Sequence, residues 1–278
     1  FKSGVFMSPT SSNVINDRVK NEKSFSTELG YSFHNRWLVF KANAYYTKWL
    51  DKSMTKKGKI TEQYYINMTG VNSKHIGLEF ELRATPAQWV EAGAMLSLGN
   101  WKWDSDNVKG YAYTLSGQAV TPDGGITTPG APDHAYATIN MKGIHIGGSA
   151  QTTAAIDVTF KPFAGFRIGG GFTHYSRNYA YYSLSGSSLK LGKEMNVVEP
   201  WKIPSYGCFD LWSSYKFMLG SLHATVSGQV NNVFDNHYIE KAWNPTTASQ
   251  NIVSVNPDDV YLFYSIGRIW SVKLKIDF

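Results

Sequence analysis

From position 261 to 278 the even residues are Leu262, Tyr264, Ile266, Arg268, Trp270, Val272, Leu274, Ile276 and Phe278. The odd ones include Ser265, Gly267, Ser271, Lys273, Lys275 and Asp277. Successive side chains of a strand point to opposite faces, so this alternation predicts a strand with one apolar and one polar face. Strands average about five or six residues in soluble proteins, whereas one tilted across a bilayer needs roughly nine to eleven and can run on beyond it. The length of the pattern favours a single membrane strand over 261–278 that ends on an interfacial aromatic ring.

The same pattern recurs upstream. It predicts strands over 24–33, 37–49, 75–84, 89–101, 150–160, 166–175, 205–217 and 222–233. Residues 1–23 read as a loop. Connections centred near 34, 86, 163 and 219 are short, while 51–72, 102–148, 176–204 and the stretch before 261 are long and polar. Short and long connections alternate strictly, which is the pattern of periplasmic turns and extracellular loops in a transmembrane antiparallel β-barrel. The expected fold class is therefore all-β. The count of nine strands is odd, and bacterial single-chain barrels have an even number.

Composition fits this picture without deciding it. The 278 residues include 9 Trp, 17 Tyr and 25 Gly, as aromatic girdles and closely packed strands require. Mean hydropathy is mildly polar at -0.29, as it is for any barrel whose lipid and lumen positions alternate. The net charge of +6 is spread along the chain, so no nucleic-acid stripe is expected. The single Cys208 excludes an internal disulfide. The seven histidines show no zinc spacing, so neither a metal nor a cofactor is expected. Gly169-Gly170-Gly171 lies inside a predicted strand with no helix after it and is not a phosphate loop. No Gly-x-Ser-x-Gly motif or comparable Ser and His arrangement appears, so an enzyme is not expected.

Around the last hairpin, Asn232-Val233-Phe234-Asp235-Asn236-His237-Tyr238 resembles a box of the TonB-dependent receptors, carried here by Asn232, Phe234, Asp235 and Tyr238. Ile203-Pro204-Ser205-Tyr206, Tyr215-Lys216-Phe217, Glu28-Leu29-Gly30-Tyr31, Ala44-Tyr45-Tyr46-Thr47-Lys48-Trp49 and His75-Ile76-Gly77-Leu78-Glu79 resemble other strands of the same family. The resemblance implies a barrel of about 22 strands in the outer membrane of a Gram-negative bacterium, plugged by an N-terminal globular domain. Its function would be active import of a scarce ligand such as a siderophore, metal complex or oligosaccharide, driven through TonB. Nothing in 1–278 matches the plug. The whole chain then reads as the C-terminal part of the barrel, with the plug and first strands before it.

Implied partners are outer-membrane lipid, TonB through the plug, the β-barrel assembly machinery and, as a further candidate, a surface lipoprotein. The assembly signal would rest on Trp270, Ile276 and Phe278, with Lys273 where the family usually has glycine. Loop aromatics Trp101, Trp103, Tyr181, Tyr182, Trp201 and Trp243 are candidate ligand contacts, or else they pack the loops together. The competing reading is a passive porin complete in itself.

Three structural expectations follow from the alternation. Leu78, Phe80, Ile156, Val158, Leu211, Val226, Trp270 and Leu274 should share the lipid face, with Glu79, Asp157, Asp210, Ser227 and Lys273 on the lumen face. A two-residue turn at His34-Asn35 should set Glu28 opposite Lys41, and the next turn should set Arg83 opposite Glu91. The first and last strands should be unpaired with each other, leaving an open sheet.

Overall fold

The computed structural model describes residues 5–7, 13–15, 20–59, 63–114, 116–182, 191–244, 248–249 and 255–277. Nine long strands form its main sheet: β1 Lys23–His34, β2 Leu38–Lys59, β3 Gln63–Ala87, β4 Val90–Trp103, β5 Ala150–Phe160, β6 Phe166–Tyr179, β7 Tyr206–Leu219, β8 Leu222–Asn231 and β9 Ile269–Asp277. Each is antiparallel to the next in chain order. Tight turns close the hairpins β1–β2, β3–β4, β5–β6 and β7–β8 at one end, and the long segments leave from the other. Aromatic rings gather at the tight-turn end. Trp89 stacks on Phe160 with centroids 6.1 Å apart, Phe163 on Phe166 at 5.0 Å and Tyr215 on Phe217 at 5.7 Å, as rings at a membrane interface do.

Register fixes the faces. One cross-strand row runs Arg83, Gly93, Asp157, Gly171, Asp210, and the next runs Glu91, Thr159, Gly169, Trp212, Gln229, Ser271. The intervening rows are apolar: Val158, Gly170, Leu211, Val230, Trp270, and below it Phe166, Tyr215, Val226, Leu274. Both lists of facing residues therefore hold. The apolar face stays open to its surroundings, with Ile156 61 %, Trp270 73 % and Leu274 61 % exposed, which only hydrocarbon can cover at low cost.

The two expected charge pairs do not form. His34 pairs with Val39, so the first turn holds four residues. The Asn35 side chain accepts the amides of Trp37 and Leu38 at 3.0 and 2.8 Å. Glu28 consequently faces Tyr45, and Lys41 faces Ser32 on one side and Glu81 on the other, with Nζ 3.4 Å from the carboxylate. A bulge between Ala84 and Ala87 moves Arg83 opposite Gly93. Both shifts are even, so every side chain keeps its face while its partner changes.

The largest departure concerns the long connections. Residues 51–72 are not a loop: β2 and β3 run through most of them, at 22 and 25 residues. Two irregularities make this possible. Asp51 (φ 57°) on β2 and Gly70 (φ 82°) on β3 mark bulges on the two strands. A bulge inserts an extra residue and reverses the alternation beyond it. Below the bulges the odd residues of β3 face the lumen; above them Tyr64, Ile66 and Met68 do so. The apolar set thus switches from the lipid side to the side over the barrel mouth.

On that platform the 102–148 connection folds as structure. Strand Val108–Thr114 takes over from β4 as the partner of β3, and Tyr136–Asn140 and Glu194–Val197 extend the sheet. Ile66, Met68, Val71, Ala112 and Ile139 are completely buried there, with Tyr64, Val108, Val120, Met141, Met195 and Val197 around them. The largest buried apolar cluster among the described residues lies here, beyond the bulges, between β3 and the segments folded on it.

The last strand is also corrected. It breaks into Tyr261–Tyr264, paired with Ile239–Asn244, and β9. Gly267 (φ 76°) turns the chain between them, and the Asp235 carboxylate accepts the Arg268 amide at 2.7 Å. Alternation continues in phase across the break, so periodicity could not show it. Within the first 23 residues, Val5–Met7 pairs with Asn13–Ile15. No ladder joins β1 to β9 among the described residues, so the sheet is open at both edges as expected.

Candidate functional site

The lumen wall divides into two bands. Toward the tight turns it is ionic. Arg83 donates to both oxygens of Asp157, at 2.9 and 3.1 Å, across Gly93, and its Nε lies 3.7 Å from Glu81. Glu91 is gripped by Lys161 and Arg167. Glycine makes these reaches possible. A Cβ on Gly93 would strike the Arg83 guanidinium and the Asp157 carboxylate, and one on Gly169 would come 2.6 Å from Trp212 Nε1. The Trp212 indole instead lies along the wall and donates to Thr159 Oγ1 at 3.2 Å.

Toward the mouth the wall is aromatic and hydroxylic. Trp101 Nε1 donates to the Tyr45 hydroxyl at 2.8 Å, and His75 lies 5.8 Å from the Trp101 ring. Buried Gln151 holds the Trp101 backbone on both sides, accepting its amide at 3.0 Å and donating to its carbonyl at 3.1 Å. Farther round, Tyr175 packs on Tyr206 at 5.0 Å, and Tyr238 stacks on Tyr206 at 4.0 Å and 9°. Burial, then the neighbouring Cys208 thiol, pushes the Tyr238 phenol well above its ordinary range.

The six aromatics singled out from sequence separate. Trp101 lines the lumen beside Tyr45. Trp103 packs on the loop core. Trp201 packs on a smaller core of Ala180, Ile203, Ala242 and Val260. Tyr181 and Trp243 are brought together by a parallel bridge, both exposed, and Trp243 lies 5.6 Å from Tyr261. Tyr182 joins the same bridge through its backbone. Tyr175 and Tyr206, absent from that selection, carry a signal the sequence did contain: aromatic residues at lumen positions of neighbouring strands. Among the described residues no three His, Cys, Asp or Glu side chains are grouped to hold a metal ion.

The Asn232 box is a clamp. Asn232 (φ 52°) is buried. Its side chain donates to Asn236 O at 2.9 Å and accepts Asn236 N at 3.0 Å, while its own amide reaches Asp210 at 2.8 Å. Asp235 then holds Arg268 at the entry to β9, and exposed Phe234 leans on Phe209 at 5.7 Å. Along β9, Trp270 near the entry and Ile276 near the far end lie on the lipid face, and Phe278 lies outside the described residues.

Residues 3–233 match the family model described as TonB dependent receptor-like, beta-barrel. The chain belongs to this TonB-dependent receptor β-barrel family. Membership indicates the Gram-negative outer membrane. The solved structures similar to this TonB-dependent receptor chain include the copper transporter OprC, at 16% identity and a TM-score of 0.54 over 93% of this chain and 32% of that one. Another is the FrpB iron transporter from Neisseria meningitidis (F3-3 variant), at 14% and 0.52, covering 94% and 32%. A third is the siderophore receptor PiuA from Acinetobacter baumannii, at 14% and 0.50, covering 92% and 28%. At these identities the likeness establishes the fold, and the chain spans about a third of each neighbour's length. No curated protein matches the chain.

Proposed function

We propose that these residues are the C-terminal barrel portion of an outer-membrane receptor that imports a scarce ligand using energy relayed by TonB. In this reading the plug and the first barrel strands belong to the rest of the same polypeptide. The observation that carries it is the combination of a two-banded polar wall with two sheet edges that no ladder pairs among the described residues. A passive channel needs a closed wall, because unpaired backbone groups in lipid cost several kcal/mol each. The aromatic band, with Trp101, Tyr45, His75, Tyr175, Tyr206 and Tyr238, is the surface an entering ligand meets below the folded loops; Tyr181 and Trp243 are the outer contacts. Aromatic faces and hydroxyls suit a planar or polyhydroxylated solute. The copper, iron and siderophore transport named for the structural neighbours sets the ligand classes to try first.

The test is uptake by cells carrying the full-length receptor, with and without TonB, for labelled iron and copper complexes and oligosaccharides. One ligand should accumulate only when both are present. Trp101→Ala with Tyr206→Ala should lower its uptake at least tenfold at limiting concentration, with surface abundance unchanged. Accumulation that persists without TonB would establish the passive channel instead.

A further inference from the structure

Cross-strand register lines up like charges on the outer face of the wall. Lys48 on β2 pairs with Lys74 on β3, and Lys74 pairs with Lys102 on β4. All three occupy the lipid-face phase of their strands, the phase that carries Tyr46, Ile76 and Leu98 nearer the tight turns. Phe25 on β1 continues the row on one side, with Lys23 two residues farther up the same face, and His145, bridged to Lys102, continues it on the other. The carboxylates beside the row are already engaged: Asp104 lies 3.4 Å from Lys48 Nζ, and Glu199 holds His145. Lys23, Lys74 and Lys102 have no ion-pair partner among the described residues.

The height of the row says what faces it. Lys74 stands ten residues along β3 from Ala84 at the tight-turn end. At about 3.4 Å per residue and a strand tilt of roughly 40°, that is about 25 Å along the barrel axis, the height of a membrane barrel's apolar band. The row therefore lies at the rim of that band on the long-connection side, where the headgroups of the outer leaflet begin. A lone lysine there needs no partner, since its stem covers apolar surface and its ammonium reaches water. Three side by side are different, because like charges directly opposite one another destabilise a sheet. At the mouth end of β5 and β6 the same face carries Thr152 and Ser176, so the charge is local to one side of the wall. The Lys74 and Lys102 backbones are about 5 Å apart, close enough for both ammonium groups to converge on the oxygens of one phosphate. Ile76, Leu78 and Leu98 lie directly below them, so an anion that carries acyl chains gains apolar contact that a free anion lacks.

We propose that Lys74 and Lys102, flanked by Lys48 and Lys23, form a site for the phosphorylated headgroup of one outer-leaflet lipid, whose acyl chains lie on the apolar face of β3 and β4. The test uses the full-length receptor, of which these residues are one portion in the reading above. It is purified in detergent, stripped of endogenous lipid, titrated with bis-phosphorylated lipid A and weighed by native mass spectrometry. TonB is absent, so a failure here leaves the import reading untouched. One lipid A should bind before any weaker ones. Lys74→Gln with Lys102→Gln should raise its Kd by roughly tenfold or more, as loss of charge-assisted contacts implies. Lys74→Arg with Lys102→Arg should preserve it, and Lys216→Gln on the lumen face should leave it unchanged. If the glutamine pair impairs barrel assembly, judged by heat-modifiable migration, Lys102→Gln alone should still weaken binding severalfold. Dephosphorylated lipid A should bind much more weakly, and inorganic phosphate should fail to compete. Equal binding of the dephosphorylated lipid would reveal a contact through acyl chains alone, and displacement by inorganic phosphate a simple anion site. Either result, a Kd indifferent to the lysine changes, or no adduct at all would overturn the proposal.

Discussion

Asn232 shows how one residue can carry a family signature for a mechanical reason. It holds a left-handed backbone, two side-chain hydrogen bonds and the amide contact to Asp210 at the top of β8. Asn232→Gly keeps the backbone relaxed and loses only the side-chain bonds, which should cost about 1–2 kcal/mol. Asn232→Ala adds the strain of a Cβ in that conformation, roughly 1–2 kcal/mol more. Urea unfolding of the purified receptor in detergent should therefore rank wild type above Gly above Ala, and an Ala variant as stable as the Gly variant would refute the strain argument. Ile66, completely buried, gives a second test. Ile66→Ala should cost about 2–5 kcal/mol locally, so intact cells should show protease cleavage within 102–148 while the barrel keeps its heat-modifiable migration.

At the scale of elements, the faces of the strands were legible in sequence and their partners were not. Alternation assigns a face to every residue, and the even register shifts at residues 35–38 and at the Ala84/Ala87 bulge left those assignments intact. Pairing depends on turn length, and Asn35 closes a four-residue turn through its side chain where a two-residue one was expected. A double-mutant cycle separates the two registers. Arg83→Ala with Asp157→Ala should show coupling of about 0.2–1 kcal/mol, the usual range for partly exposed pairs, and Glu28→Ala with Lys41→Ala should show none. The loops were misread for a related reason. The bulges at Asp51 and Gly70 reverse the alternation in mid-strand, so no single phase describes β2 or β3, and the loop core is assembled from segments distant in sequence. The aromatic site suffered likewise: Trp101 and Trp103 are two residues apart, yet one lines the lumen and the other packs under the loops, a distinction set by those segments.

For the whole molecule, the decisive property is that no ladder among the described residues closes the sheet. β1 is exposed along its full length and β9 along nearly all of its own, and no proline blunts either edge. Residues 1–278 expressed alone and refolded into vesicles should therefore not yield discrete channel openings, whereas the full-length receptor should give a closed, heat-modifiable barrel. Steady unitary conductance from the isolated fragment would mean that nine strands suffice. The glycines at 77, 93, 99 and 169 each leave a slot into which Tyr45, Arg83 with Asp157, Trp101 or Trp212 folds down. Bulky side chains are laid sideways instead of standing into the bore. An alanine at 93 or 169 would therefore displace the Arg83–Asp157 pair or the Trp212 indole from the sheet surface.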